Sequence, residues 1–122
     1  MFPGFVSDVT VLRISSHMHL RGGDFHAYAV TPKRDTINLL TIPDWDFYWQ
    51  GIYTYVKPII IPKGSKIYAD ATMDNRDNNP DNPYHPPKRV KWGVGSRDEM
   101  CQFMLLYSEY KKGDENIVLK ED

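Results

Sequence analysis

An all-β fold, an antiparallel sandwich of jelly-roll type with about eight strands, is what this sequence predicts. Three observations carry that expectation. Short runs rich in Val, Ile, Tyr, Phe and Thr recur along the chain, and these residue types suit a pleated, half-buried surface. Pro, Gly, Asn and Asp punctuate them at short intervals. No stretch of normal helix length shows a helical pattern of apolar residues. At 122 residues the chain makes one domain, 1–122, expected to be a piece of a longer protein.

The first predicted strand, 8–16, contains the β-branched run Val9-Thr10-Val11-Leu12-Arg13-Ile14-Ser15 and leads into Ser16-His17-Met18-His19. Strands over 24–31 and 35–42 are joined by Pro32-Lys33-Arg34-Asp35, and strands over 51–61 and 65–73 by Pro62-Lys63-Gly64-Ser65, both tight connections. Within 65–73, Ile67, Ala69, Ala71 and Met73 alternate with Lys66, Tyr68, Asp70 and Thr72, the signature of a strand with one buried face. Further strands are expected over 89–92 and 100–110, and a last one over 116–120.

Residues 74–87 stand apart. Seven of these 14 residues are Asp or Asn and four are Pro, so the segment cannot hold a strand ladder. It is expected to be a long loop ordered by side-chain-to-backbone turns. Asp77-x-Asn79-x-Asp81 begins like a calcium-binding helix-loop-helix, but Asn82 stands where that loop needs Gly and Lys88 where it needs Glu, so calcium is rejected.

Composition excludes several functions. A formal net charge of −1 with no basic stripe argues against nucleic acid. The longest apolar stretch, Pro58-Ile59-Ile60-Ile61-Pro62, is far below the ~18 residues of a membrane span. The start has no signal-peptide pattern. Cys101 is the sole cysteine, so no internal disulfide forms, and it is expected to act as a small buried residue.

His17 and His19 are the most informative pair. In an extended strand, positions i and i+2 point to one face, about 7 Å apart at the backbone, so two imidazoles can converge on one metal ion. The competing account is an accident of sequence, one histidine solvated and the other packed. A site needs a further ligand, and His26, His85, the carboxylates, Cys101 and the methionines are the candidates. His26 shares strand parity with Tyr28 and Val30 and reads as a surface or half-buried residue. His85 lies among prolines in the loop. Composition alone does not choose among them. By pattern alone, Met100 reads as a core methionine entering a buried strand with Phe103 and Leu105.

Arg97-Asp98-Glu99-Met100-Cys101-Gln102-Phe103-Met104-Leu105-Leu106-Tyr107 resembles a segment of the copper type II, ascorbate-dependent monooxygenases, in their C-terminal, catalytic-copper domain. The blocks His17-Met18-His19-Leu20-Arg21-Gly22-Gly23-Asp24-Phe25, Asp81-Asn82-Pro83-Tyr84-His85-Pro86 and Val90-Lys91-Trp92-Gly93 are similar to bacterial members. The resemblance covers nearly the whole chain. It implies that His17, His19 and Met100, which follow in the family's order about 80 residues apart, bind a single catalytic copper ion. Two imidazoles and a thioether suit copper cycling between Cu(I) and Cu(II), and poorly suit magnesium or calcium. Zinc, the competing metal, ordinarily takes a third His, Cys or carboxylate rather than Met.

The resemblance further implies an oxidoreductase that uses O₂ and two electrons to hydroxylate an activated C–H bond of a small-molecule or peptide substrate. Ascorbate or a redox partner would be the reductant, and the location periplasmic or secreted. Family enzymes keep a second copper on three histidines of a preceding domain; beyond the pair, this chain has only His26 and His85, so an electron donor must come from elsewhere. The peptide-amidating members anchor a substrate carboxylate with an arginine and a tyrosine where this chain has Ser15 and Met104. Neither makes a charge-assisted bond to a carboxylate, so peptide amidation is not expected. Arg21, Asp24 and Arg97 lie near the motifs as candidates for orienting ligands or contacting substrate. Two other readings stand beside this one: a non-catalytic copper-binding or copper-sensing module on the same three residues, and a sandwich that binds carbohydrate or protein through Trp45, Phe47, Tyr48 and Trp49. Against the latter, that aromatic cluster is expected to be a core edge plus turn.

Overall fold

Two three-stranded antiparallel sheets face each other in a computed structural model of the chain, which describes residues 3–121. The strands are β1 (Val9–Met18), β2 (Gly22–Val30), β3 (Thr36–Ile42), β4 (Ile52–Ile61), β5 (Lys66–Met73) and β6 (Cys101–Glu109). One sheet has the order β4-β1-β6, the other β3-β2-β5. Val11, Ile14, Met18 and Ile61 from the first sheet meet Phe25, Ala27, Ala29 and Leu39 from the second in a dry core. Full burial of each large aliphatic side chain contributes about 1.5–3 kcal/mol. One polar tie crosses between the sheets: the Tyr55 hydroxyl donates to the Leu39 carbonyl at 2.7 Å, and burial pushes its pKa up to about 12.

The sandwich has six strands among the described residues, not eight. Residues 89–92 form no strand: Val90 and Trp92 alternate with Arg89 and Lys91, but only Trp92 makes an isolated bridge, to Glu99, and it stays 73 % exposed rather than buried as a strand's apolar face would be. Residues 116–120 form no strand either. A short 3₁₀ turn, Asp114–Asn116, precedes them, and one backbone bond, Leu119 N–H to the Val56 carbonyl at 2.8 Å, ties them to β4. No ladder grows there because β4 is irregular around Pro58, which has no N–H to donate. Its pairing with β1 jumps from Thr54↔Arg13 to Ile59↔Val11.

A β-bulge in β1 decides which side chains face the core. The β1–β6 register passes from Val11↔Tyr107 to Arg13↔Leu106, which leaves Leu12 as an extra residue. Val9 and Val11 point inward before it; Ile14, Ser16 and Met18 do so after it. Without the bulge, alternation would carry Arg13, Ser15 and His17 into the core. With it, Ser15 and His17 occupy the outer face.

The connections follow the turn chemistry of the sequence. Gly64 has a φ of 84°, the left-handed value that the third position of a type II turn demands, and Ser65 N–H closes that turn on the Pro62 carbonyl at 3.1 Å. The β1–β2 corner closes with Gly22 N–H on the His19 carbonyl at 3.0 Å. Gly22 is required there for space, since a Cβ would lie 2.6 Å from the Trp45 ring. The Asp/Asn-rich loop is ordered as expected by successive Asx turns: the side-chain oxygens of Asp74, Asn79 and Asn82 accept from the N–H groups of Arg76, Asp81 and Tyr84 at 3.0, 3.0 and 3.1 Å.

Two measurements check this account. Gly22→Ala forces Trp45 off its seat and is expected to destabilise the fold by about 1–3 kcal/mol in chemical denaturation. The Arg76 side-chain hydrogen bond holds the Asp74 carboxyl down from 3.8 to about 2. The folded value lies below the unfolded one, so the stabilisation is complete above the ordinary carboxylate range and is lost as pH falls through about 2. Carbon-detected titration should give Asp74 that low midpoint, and Arg76→Gln should return it toward 3.8.

Candidate metal centre

β1 ends by carrying His17 on its last turn of the pleat, and His19 follows at the corner that passes into the second sheet. The two rings lie with centroids 5.0 Å apart and planes at 80°. His19 is buried and His17 half-buried. Across the strand boundary, β6 pairs His17 with Gln102 and Met18 with Cys101. The ladder ends at that pair, and His19 and Met100 each lie one residue beyond it. Met100 itself is half-buried.

Both rings have one nitrogen already engaged, and in each case it is Nδ1. His19 Nδ1 lies 3.1 Å from the Asp98 carbonyl. A carbonyl only accepts, so Nδ1 of the neutral ring carries the proton and Nε2 keeps its lone pair. His17 Nδ1 lies 2.6 Å from Gln50 Oε1. The orientation of the Gln50 amide is fixed by its own Nε2, which donates to the Phe47 carbonyl at 2.8 Å, so Oε1 is the acceptor here as well. The two free Nε2 atoms are thus a pair of neutral imidazole donors with set tautomers, which is how proteins prepare histidine for a metal. This donor chemistry fits copper. Among the described residues no group of three or more His, Cys, Asp or Glu could hold a metal.

The other candidates sit elsewhere. His26 is on β2 in the opposite sheet, its Nε2 2.9 Å from Asn38 Oδ1 and its ring against Tyr28. His85 is in the loop, 3.1 Å from the Asp77 carboxylate. Asp24 binds Thr72 across the second sheet, accepting from its N–H and its hydroxyl at 3.1 and 2.7 Å. Arg97 contributes its carbonyl rather than its side chain: Arg21 donates to it from both terminal nitrogens at 3.0 and 2.8 Å. Cys101 is exposed, not buried. It faces Met18 on an edge strand with no neighbour beyond it to cover the thiol. The desolvation it does experience raises its pKa.

Two groups that orient the histidines left no trace in the sequence reading. Gln50 lies 33 positions from His17, and the Asp98 carbonyl 79 positions from His19. Any residue supplies a carbonyl, and Gln50 belongs to an aromatic stretch with no metal-site pattern. That stretch divides. Trp45 is buried as a core edge, Phe47 is half-buried with its ring edge-on to His19 at 6.4 Å, and Tyr48 and Trp49 are exposed. A continuous aromatic platform is therefore absent from these four residues.

The tautomers give a direct check. Nitrogen-15 spectra of the metal-free protein at pH 8 should show His17 and His19 both protonated at Nδ1. Gln50→Leu should release His17 toward the Nε2–H form preferred in water and leave His19 unchanged.

No curated protein and no solved structure matches the chain. A family does: the copper type II ascorbate-dependent monooxygenase, C-terminal domain, is matched over residues 5–118. With nearly the whole sandwich and both motif segments inside that match, the chain belongs to the copper type II ascorbate-dependent monooxygenases and is their C-terminal, copper-binding domain.

Proposed function

We propose that this domain holds one copper ion between His17, His19 and Met100 and acts as the catalytic half of an O₂-dependent monooxygenase. The observation that supports this most is the pair of rings on one face, each tied through Nδ1 and each offering Nε2. On this reading Met100, the residue just before β6, supplies the thioether. Copper, when bound, would supply one-electron redox chemistry and an open position for O₂. The net reaction is R–H + O₂ + 2 e⁻ + 2 H⁺ giving R–OH + H₂O.

The chain's own residues do the remaining work. Gln50 and the Asp98 carbonyl hold the rings in orientation. Phe47 shields His19 on one side. The floor beside the pair is apolar: Ser15 pairs with Met104 on one side and Ile52 on the other, and Arg13 pairs with Leu106. Ile52, Met104 and Leu106 are 70, 66 and 53 % exposed, and with Arg13 and Ser15 they line a shallow trough of about 290 Å³. A largely apolar substrate suits this floor, whose one cation is Arg13. Ser15 and Met104 offer none to pair a C-terminal carboxylate.

Electrons come from outside this domain. The only other histidines, His26 and His85, lie on the opposite sheet and in the loop, which leaves the second electron to a further domain, a redox partner or ascorbate. A periplasmic or secreted setting fits copper loading and this chemistry. No helix among the described residues is long and apolar enough to cross a membrane.

Copper titration with X-ray absorption tests the ligand set. Reduced wild type should show a sulfur scatterer that Met100→Ala lacks, with Cu(I) affinity falling at least about tenfold, or 1.4 kcal/mol. A wild-type spectrum with nitrogen and oxygen alone would remove Met100 from the set. Oxygen uptake with ascorbate and a panel of neutral apolar substrates tests catalysis. A flat trace from copper-loaded protein supplied with a competent donor would leave a copper-binding module and no enzyme.

A further inference from the structure

Arg21 is the largest fully buried side chain among the described residues, with no exposed surface. A buried guanidinium is costly unless its charge and its donors are satisfied, and all of its partners lie on the long excursion between β5 and β6. Its two terminal nitrogens donate to the Arg97 carbonyl, and Nε donates to Asn75 Oδ1 at 3.2 Å. Nη1 pairs with the Glu99 carboxylate at 3.1 Å, and the guanidinium lies 5.5 Å from the centre of the Tyr84 ring. Arg21 therefore grips the residues on either side of Asp98, while the Asp98 carbonyl itself receives the His19 proton. Three consecutive residues are pinned from the histidine corner, and the next one is Met100.

We propose that Arg21 is a positioning residue for the Met100 thioether, setting its reach toward the His17–His19 pair. The inference rests on the reading of Met100 as a ligand. Residues 74–99 cross from one sheet to the other without a strand of their own, so the segment that leads into Met100 is held by these side-chain ties and by two backbone bonds of Glu99, with Lys91 and Gly93, until the β1–β6 ladder takes over at Cys101. Arg21 also couples the Asp/Asn-rich loop to the site. Asn75 Oδ1, which accepts from Arg21 Nε, accepts from Asn82 Nδ2 as well at 3.0 Å, and Asn75 Nδ2 donates to the Lys88 carbonyl at 3.0 Å. The loop is thereby a brace for the segment that carries the sulfur.

The distinguishing property of a thioether is its preference for Cu(I) over Cu(II), so loosening it should affect one oxidation state. Arg21→Lys keeps the charge but has one point donor in place of a planar fork, and cannot serve Arg97, Glu99 and Asn75 together. It should lower Cu(I) affinity about tenfold, as loss of an outer partner commonly does, and leave Cu(II) affinity within about twofold. The Cu(II)/Cu(I) potential should then fall by about 59 mV per tenfold loss, and the sulfur scatterer of the reduced protein should weaken. Glu99→Gln keeps the shape of the contact and should shift the potential in the same direction, which preserves the test where Arg21→Lys fails to fold. A parallel loss of both oxidation states, or no loss in either, would overturn the proposal and leave Arg21 a stabilising residue only. Met100→Ala separates the two levels. If it leaves Cu(I) binding intact, the ligand reading and the Arg21 proposal fall together; if it weakens Cu(I) while Arg21→Lys and Glu99→Gln do not, the Arg21 proposal falls alone.

Discussion

One residue out of register, Leu12, governs the rest of this molecule. Strand alternation admits only two arrangements of β1, and a shift of one position exchanges every inward side chain for an outward one. The bulge lets the strand satisfy both of its halves. Val9 and Val11 fill the core at one end, Ile14 and Met18 fill it at the other, and the phase change between them turns Ser15 and His17 outward. The imidazole pair is thus placed by the packing demands of the hydrophobic residues that precede it. β6 has no matching bulge, so its alternation runs unbroken from Glu109 to Cys101 and brings Met104 and Gln102 to the same outer face as Ser15 and His17. β1 and β6 are in phase on both sides of Leu12, which alone is left out of the pairing.

Much of this was legible in the sequence. Six of the eight expected strands appear close to their expected bounds, because one buried face imposes a period of two that composition displays directly. The same-face arrangement of His17 and His19 follows from that period. The long Asp/Asn/Pro segment is ordered by Asx turns as its residue types require. The misreadings have a common origin in partner availability. Residues 116–120 have an acceptable strand composition, yet the β4 edge beside them is broken around Pro58. Cys101 was expected inside because free cysteine usually is, but an edge strand exposes even its inward positions where nothing lies beyond it. Leu12 itself carries no signal. A bulge is a compromise between two hydrophobic phases, and neither phase alone reveals where the extra residue falls.

The orienting groups of the site show a second kind of illegibility. Gln50 reaches His17 only because the β3–β4 connection folds over the outer face, with its amide held by the Phe47 carbonyl. The Asp98 contact is made by a backbone atom, which is the same in every residue. Ligands announce themselves by side-chain type and spacing, whereas the acceptors that fix a tautomer are generic groups drawn from distant segments. A sequence therefore discloses which atoms bind a metal sooner than it discloses what holds them.

The acidic residues beside Met100 bear on the choice of metal. Asp98 and Glu99 adjoin the thioether in the chain, and a carboxylate entering the donor set would favour harder ions and the oxidised state of copper. Each is occupied. The Asp98 carboxylate accepts from Gly95 N–H at 3.2 Å, within the turn that its own N–H closes on the Gly95 carbonyl at 2.8 Å. Glu99 is bound by the buried Arg21, and its second oxygen is buried without a partner, so its charge is balanced chiefly through that pair. Under the proposed ligand set the donors would be neutral: two imidazole nitrogens and a thioether. A neutral set stabilises Cu(II) less than one containing carboxylate and leaves Cu(I) comparatively favoured. The buried arginine thus does two things with one charge: it holds the Glu99 carboxylate, which could otherwise compete for a metal, and it fixes the Arg97 carbonyl in the segment that leads into Met100.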